Sequence, residues 1–158
     1  MPKILVVYYS RSGNTEKMAH LFAEGVKSAG VDVTVKPVQQ VSADALLEYD
    51  GIAAGSPTYY GSMAWELKKL FDESVKFHGK LDGKVGAAFT SAANIGGGNE
   101  TTVEDILNAL IIHGMIIQGD PKGDHYGRVS IGAPDARVEE QCRRSGERMA
   151  ELVKKLFP

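Results

Sequence analysis

The sequence predicts a doubly wound α/β fold, a three-layer sandwich in which a five-stranded parallel sheet lies between two layers of helices. Short apolar segments alternate regularly with segments of helical periodicity, which is typical of right-handed crossovers within one parallel sheet. The first apolar segment, 4–9, contains only aliphatic and aromatic residues, as expected for a strand buried on both faces. The 158 residues correspond to a single domain spanning 1–158. Five strands leave two doubly wound orders, of which we expect 2-1-3-4-5.

Strands are expected where apolar, largely β-branched segments are bounded by turn residues. The expected strands are 4–9, 31–35, 50–55, 84–91 and 115–118, with a further strand piece at 128–131 inside a loop-rich stretch, 119–134. Helices are expected where apolar residues recur every three or four positions. The expected helices are 15–28, 43–48, 62–75, 99–113 and 135–156. Gly30 and Gly114 mark helix ends, and Ser42 and Ser62 are the expected caps of the second and third helices.

Composition and charge limit the classes of function. The chain carries 18 basic and 20 acidic residues, a net charge of −2, which argues against binding to nucleic acid. Its one cysteine, Cys142, allows no internal disulfide, as is usual in a reducing cytoplasm. The apolar segment near the N-terminus is too short for a signal peptide, and no apolar run approaches the ~20 residues of a membrane span. We therefore expect a cytoplasmic protein without a membrane span.

The loop that follows the first strand is rich in hydroxyl groups and lies at the start of a helix. It consists of Ser10, Arg11, Ser12, Gly13, Asn14 and Thr15. Backbone N–H groups at the positive end of a helix favour a phosphate. The loop lacks the lysine of a Walker motif and the GxGxxG of dinucleotide sites, so it suits one terminal phosphate. The alternative is an ordinary helix cap, with Ser12 or Asn14 as the capping residue.

Two further loops leave the same edge of the sheet, where ligands of such folds bind. The second loop, 56–62, includes Pro57, Thr58, Tyr59, Tyr60 and Gly61. Its two tyrosines can stack on a planar heterocycle; the alternative is that they close the sheet edge. The third loop, 90–99, includes Ser91, Ala92, Ala93, Asn94, Ile95, Gly96 and Gly97. Its glycines leave room for a ligand against the backbone; the alternative is a flexible connector. Together the three loops suit a mononucleotide with a large flat ring.

The motifs YYSRSGNT at 8–15, GSPTYYGSM at 55–63 and FTSAANIGGGNE at 89–100, followed by HGM, resemble the WrbA-type branch of the flavodoxin-like superfamily. The resemblance covers essentially the whole chain. It implies a noncovalently bound FMN: the first loop would hold the phosphate, 57–61 would contact the ring and ribityl chain, and 91–97 would wrap the pyrimidine side. It also implies ping-pong reduction of a quinone by NAD(P)H. The flavin carries this chemistry, so no catalytic acid or base is expected from the protein.

The chain departs from this branch at several positions. Tyr59 and Tyr60 stand where the branch usually has Arg-Phe, and Ile112 stands where it has the first histidine of a His-His pair. The third loop is one residue longer, and the stretch after the second strand, around 39–42, is much shorter. Because tetramers of this branch build active sites across subunits, the resemblance also implies a homo-oligomer, either a dimer or a tetramer.

Several other residues are candidates for function. His125 and Tyr126 are candidate flavin contacts, since the stretch after the fifth strand reaches the ligand edge. Arg128 would either meet a nicotinamide phosphate or be solvated, Trp65 is expected to pack inward, and Cys142 is expected to be buried and inert. No metal site is expected, because the histidines show no ligand spacing. The four histidines are His20, His78, His113 and His125.

The residues leave two further functions open besides the quinone oxidoreductase. The chain could be an electron carrier between proteins, which its short length favours and its small net charge does not, since carriers dock through a strongly acidic face. It could also be an FMN-binding module that senses or scaffolds without turnover.

Overall fold

The computed structural model describes residues 1–158 and has the predicted sheet order, β2-β1-β3-β4-β5, with all pairs parallel. The strands are β1 (Lys3–Tyr8), β2 (Asp32–Pro37), β3 (Gly51–Pro57), β4 (Val85–Ala92), β5 (Ile116–Ile117) and β6 (Arg128–Ile131). The helices are α1 (Asn14–Ser28), α2 (Trp65–Glu73), α3 (Asn99–Ile112) and α4 (Ala136–Leu156). Three short 3₁₀ helices occupy Val38–Gln40, Ala43–Glu48 and Ser74–Phe77.

The fifth strand position is interrupted. β5 pairs with β4 at Val85 and Gly86, and β6 pairs with the same side of the sheet further along β4, from Phe89 to Ala92. The chain leaves the sheet between these two halves over 118–127, which we call the insertion. The expected strand piece at 128–131 is thus confirmed as the second half of the fifth strand.

Two hydrophobic cores cover the two faces of the sheet. Along β1, Ile4 and Val6 face α1 and α4, whereas Leu5 and Val7 face α2 and α3. All four side chains are fully buried, which confirms that β1 is covered on both faces. Each such aliphatic side chain contributes about 1.5–3 kcal/mol by leaving water. The sheet is therefore a rigid platform for the loops at its carboxyl edge.

Glycines allow α1 and α4 to pack backbone against backbone. A Cβ atom added at Gly25 would lie 1.9 Å from the carbonyl oxygen of Arg143, and one added at Gly146 would lie 2.0 Å from that of Phe22. Neither distance is possible for a real carbon atom, so both positions require glycine in this packing.

The helix starts differ from those expected. Residues 43–48 form a 3₁₀ helix, the usual form of so short a segment, and Ser42 makes no capping hydrogen bond. The third helix begins at Trp65, not at 62, so Ser62 does not cap it. This shift leaves Trp65 69% exposed, and the expectation that it packs inward is wrong.

Cys142 is fully buried on α4, as predicted, and burial raises the pKa of its thiol to about 12. At that pKa the reactive thiolate is essentially absent at neutral pH.

Among the helices, none combines the length and the apolar character needed to cross a membrane.

Candidate functional site

The first loop presents unpaired backbone donors at the start of α1. Gly13, with φ 97°, is the residue before the helix and has no side chain to cap it, and neither Ser12 nor Asn14 does so, so the alternative of a Ser12 or Asn14 cap is wrong. Instead, Ser10 Oγ accepts hydrogen bonds from the N–H groups of Gly13 (3.1 Å) and Glu16 (3.2 Å). The N–H groups at 14 and 15 make no hydrogen bond within the protein. They are therefore available to an anion.

Hydrogen bonds between strand ends hold the three loops together. Thr15 Oγ1, in a side chain only 1% exposed, lies 2.8 Å from Ser91 Oγ and so joins the first loop to the third. Thr58 N–H donates to the carbonyl of Ser91 (2.7 Å), and the hydroxyl groups of Thr58 and Thr90 are 2.9 Å apart. The expectation that these loops meet at one edge is thus confirmed by direct contacts.

The three loops enclose an open cavity of about 240 Å³, which we call the loop cavity. Its lining contains no carboxylate and one cation, Arg11, so the cavity is electrostatically suited to an anion. The lining residues are Arg11, Ser12, Asn14, Pro57, Thr58, Tyr59, Ser91, Ala92, Ala93 and Gly132.

The second loop turns sharply at its two central residues. Tyr60 (φ 49°) and Gly61 (φ 77°) both have positive φ, and Tyr60 is the one non-glycine residue with this geometry. Its side chain is wholly exposed, whereas Tyr59 is 37% exposed and packs edge-on against Tyr9, with ring centroids 6.4 Å apart. Of the two tyrosines, Tyr59 lines the loop cavity and Tyr60 projects into solvent.

Replacing Tyr60 with glycine is expected to stabilise the protein by about 1 kcal/mol, because glycine adopts positive φ without steric cost. The midpoint of thermal unfolding should rise by about 2–4 °C for a domain of this size. Tyr59→Gly is the matched control: it removes a half-buried ring at negative φ and should lower the midpoint. Equal losses in both variants would show that Tyr60 is not strained.

Two side chains of α3 fix the second loop and were not found from the sequence. Asp105 Oδ2 accepts hydrogen bonds from Ser62 Oγ (2.5 Å) and Met63 N (3.0 Å). Thr101 Oγ1 donates to the carbonyl of Gly61 at 2.8 Å. This use explains why Ser62 is not a helix cap: its hydroxyl is bonded to α3 instead.

The third loop contacts the second at a pair of glycines. Gly98 (φ 101°) approaches so closely that an added Cβ would lie 2.4 Å from Gly61 Cα. The Asn99 side chain closes the loop by accepting from Gly96 N (3.2 Å) and donating to the carbonyl of Asn94 (3.3 Å). The loop is therefore closed by hydrogen bonds of its own.

Part of the third loop faces a different space. Ile95 lines a second cavity of about 330 Å³ together with His125 and Tyr126 of the insertion; we call it the insertion cavity. The structure does not bring these three residues into the loop cavity, and Gly96 and Gly97 line neither. A contact between any of these five residues and a flavin stays a prediction.

Arg128 is neither solvated nor available to a nicotinamide phosphate, so both expectations for it are wrong. It is 1% exposed and forms an ion pair with Asp120. Its Nη1 atom donates to the carbonyls of Lys122 (3.2 Å) and Asp124 (3.1 Å), and to Gln141 Oε1 (2.9 Å). The guanidinium thus satisfies backbone carbonyls that the insertion would otherwise bury without partners.

A second arginine completes this cluster. Arg144 donates to both carboxylate oxygens of Asp120, at 2.8 and 2.9 Å. The hydrogen bonds from Arg144, together with those from Lys122 N and Arg128, hold the pKa of the Asp120 carboxyl far below its usual range against the opposing effect of burial. Asp120 is therefore ionised and anchors the insertion to α4.

The histidines lie apart from the loop cavity. His113, at the end of α3, is buried with Nε2 2.7 Å from Ser74 Oγ, and burial lowers its pKa. Because α3 runs back from the carboxyl edge of the sheet, Ile112 and His113 lie at the opposite edge. No group of three His, Cys, Asp or Glu side chains is arranged to hold a metal ion.

Comparison with known proteins gives two sets of relatives. The flavodoxin family matches residues 6–80. A flavodoxin of Aquifex aeolicus is 43% identical over 97% of this chain and 88% of its own length. An NAD(P)H dehydrogenase (quinone) of Rhizobium rhizogenes is 40% identical over 99% of both chains. The structure of a flavodoxin, WrbA-like protein of Agrobacterium tumefaciens superposes with a TM-score of 0.83 at 27% identity, covering 98% of this chain and 99% of that chain.

Proposed function

This chain belongs to the flavodoxin-like family, and from that premise we propose that it holds FMN in the loop cavity and uses it to pass two electrons from NAD(P)H to a quinone. The observation that carries the proposal is the convergence of free N–H groups at the start of α1 with the tyrosine-bearing second loop, in a cavity without carboxylates. When bound, FMN would supply the redox chemistry by accepting a hydride and releasing two electrons.

The residues of the loop cavity fit the parts of FMN. The free N–H groups of Asn14 and Thr15, with the hydroxyl of Ser12 beside them, suit the terminal phosphate at the positive end of α1. Arg11 adds a positive charge at the same end. Tyr59, held by its contact with Tyr9, offers an aromatic surface to the ring. The protein thus binds and orients the cofactor without an acid or base of its own.

The hydrogen bonds among the loops would keep this cavity in shape before the cofactor arrives. Asp105 and Thr101 hold the second loop on α3, and Thr58 holds it on β4. Preorganised loops lose little conformational entropy on binding. We therefore assign these three residues a positioning role.

The proposed reaction is tested by mixing the FMN-loaded protein with NADH or NADPH in the absence of oxygen and following the flavin absorbance. Bleaching should be much faster than without the nicotinamide, and adding a benzoquinone should restore the oxidised spectrum. A flavin that is reduced no faster with either nicotinamide would exclude the enzyme.

The second candidate is an electron carrier, which is favoured by the two relatives at 43% and 41% identity that are named flavodoxin. It shares the cofactor and differs in its donor: a carrier would accept electrons from a reductase protein and not from free NAD(P)H. The same experiment with and without an added flavodoxin reductase separates the two functions.

We further propose that the Thr15 hydroxyl, beside its free N–H group, contacts the phosphate, and Thr15→Ala tests this role of the side chain. A hydrogen bond to a charged group contributes about 1.5–3 kcal/mol, so FMN affinity should fall about ten- to a hundredfold. Riboflavin, which has no phosphate, should bind the variant and the wild type equally, as measured by quenching of flavin fluorescence. Because Thr15 also bonds to Ser91, an equal loss of riboflavin affinity would mean that this residue shapes the loops and does not contact the phosphate.

A further inference from the structure

We propose that the adenosine end of the electron donor binds in a groove between α2 and residues 38–41, and that this groove selects NADH over NADPH. We call it the α2 groove. The inference rests on the proposed function and names the donor of that reaction. The nicotinamide end would stay in the loop cavity against the proposed FMN, so that the hydride has a direct path to the flavin.

The α2 groove begins at the same edge of the sheet as the loop cavity. One wall is the short 3₁₀ helix that follows the carboxyl end of β2, and the other is α2, which follows the second loop. The volume of the groove is about 280 Å³, close to the lower limit of small-molecule sites. The groove therefore suits one nucleoside and not a whole dinucleotide.

Trp65 offers an aromatic face for the adenine. It lines the groove as the first residue of α2 and is 69% exposed, although tryptophan side chains are on average highly buried. Aromatic side chains are general stacking surfaces for nucleic acid bases. A stacked adenine would also remove the apolar surface of the indole from water.

Glu66 provides an acceptor for the hydroxyl groups of the ribose. It lines the groove beside Trp65, and its Oε2 atom is buried without a hydrogen bond within the protein. A buried acceptor without a partner costs free energy, which a hydroxyl donor of the ligand would recover. Glu66 also lies in the first turn of α2, where the positive end of the helix favours its ionised form. An acidic side chain that accepts from the 2′-hydroxyl is the usual mark of an NAD site.

The charges of the α2 groove disfavour the additional phosphate of NADPH. Besides Glu66, the lining contains Glu73 and one cation, Lys69, whose Nζ lies 3.8 Å from Glu73 Oε1. Carboxylates are therefore in excess, and the ammonium group is already paired with one of them. The 2′-phosphate of NADPH would bring about two negative charges to the position next to Glu66. Since the lining contains no arginine to receive this phosphate, NADH is the better ligand.

Two tyrosines connect the α2 groove to the loop cavity. Burial raises the pKa of the Tyr9 hydroxyl, the Glu66 carboxylate beside it raises this pKa further, and the nearby Arg11 lowers it. The ring of Tyr9 meets that of Tyr59 edge-on, and Tyr59 lines the loop cavity together with Arg11. The two spaces are thus separated by a pair of rings, a distance that an extended dinucleotide spans. Arg11 lies at this boundary, where its charge also favours the pyrophosphate of the donor.

The test measures binding and turnover separately. ADP-ribose has the adenosine end of NADH but no nicotinamide, so titration calorimetry with the oxidised, FMN-loaded protein measures binding without reduction. Trp65 is the one tryptophan of the chain, and quenching of its fluorescence by ADP-ribose locates the ligand. Steady-state kinetics with a benzoquinone give the KM of NADH and of NADPH.

The variants are Trp65→Ala and Glu66→Gln, with one matched control. Ile112→Ala is the control, because this side chain is 68% exposed and lies at the opposite edge of the sheet. All three changes are made on the surface of a helix, and thermal unfolding checks that each variant is folded.

We expect the KM of the wild type to be about tenfold higher for NADPH than for NADH. Trp65→Ala should raise the dissociation constant of ADP-ribose and the KM of NADH about tenfold, the usual effect of losing one stacked base. Glu66→Gln should reduce the preference for NADH by weakening binding of NADH and relieving the repulsion of NADPH. Ile112→Ala should change none of these values.

Equal KM values of the wild type for NADH and NADPH would overturn the proposal, and so would an unchanged ADP-ribose affinity in both groove variants. A matching loss of FMN affinity in these variants would also overturn it, because the loss would then come from a damaged loop cavity. If neither nicotinamide reduces the flavin of the wild type, the proposed function fails, while the ADP-ribose titration still decides whether the α2 groove binds an adenosine.

Discussion

Replacing Asp120 with asparagine is expected to destabilise the protein by about 3–5 kcal/mol, the usual cost of removing one partner of a buried ion pair. The side chains of Asp120 and Arg128 are 7% and 2% exposed, so the variant leaves the guanidinium of Arg128 without a counter-ion and out of water. The hydrogen bonds from Arg144 to both carboxylate oxygens are weakened as well. Urea unfolding followed by circular dichroism measures the loss.

Asp72→Asn is the control for this prediction. Asp72 pairs with Lys68 on the surface of α2, with a side chain 64% exposed, and such pairs contribute about 0–1 kcal/mol. If the two variants lose the same stability, the Asp120 cluster does not anchor the insertion.

The contribution of Asp120 to the stability of the protein depends on pH. Hydrogen bonds from Arg144 and other donors depress the pKa of Asp120 in the folded protein, so its stabilising effect is fully present above the unfolded pKa of about 3.9. It is lost as the pH falls below that value towards the folded pKa. The difference in stability between the wild type and Asp120→Asn should therefore shrink below about pH 4 and stay constant between pH 5 and 8, a window above both pKa values.

Gly146→Ala is expected to destabilise the protein by about 3 kcal/mol, although the same change in an exposed helix usually stabilises by about 1 kcal/mol. The new methyl group would lie 2.0 Å from the carbonyl oxygen of Phe22, so α1 and α4 must separate. Their separation would open the core that contains Met18 and Val153. Gly25→Ala, on the facing helix, should have a similar effect for the same reason.

Glu140→Ala is the control on α4, because this residue is exposed and makes no side-chain hydrogen bond or ion pair within the protein. It should change the stability by less than about 0.5 kcal/mol. A gain in stability for Gly146→Ala would contradict the close packing of the two helices.

The strand order follows from the sequence because it depends on local patterns. Regular βα alternation, together with a first strand apolar on both faces, is compatible with few topologies. The burial of Arg128 depends on contacts that no local pattern contains. Its partners Gln141 and Ser145 come from α4, and an arginine is buried only where such distant groups satisfy all its donors.

Within the candidate site, the meeting of the three loops was predictable, because each follows the carboxyl end of a neighbouring strand. The caps were not. Ser10, Ser12 and Ser62 are all chemically competent to cap, and the structure uses Ser10 at α1 and turns Ser62 toward Asp105. The choice depends on where each helix begins, which periodicity locates only to within a few residues.

The interruption of the fifth strand also affects how readily the protein aggregates at high concentration. The outer edge of a sheet offers a row of unpaired backbone groups to which another chain can add. Here that edge is divided into pieces of two and four residues, with the anchored insertion between them. On the opposite edge, β2 ends in Lys36 and Pro37, a charge and a residue without an N–H donor. Neither edge provides a long, flat template, so the fold resists strand addition and the aggregation that it starts.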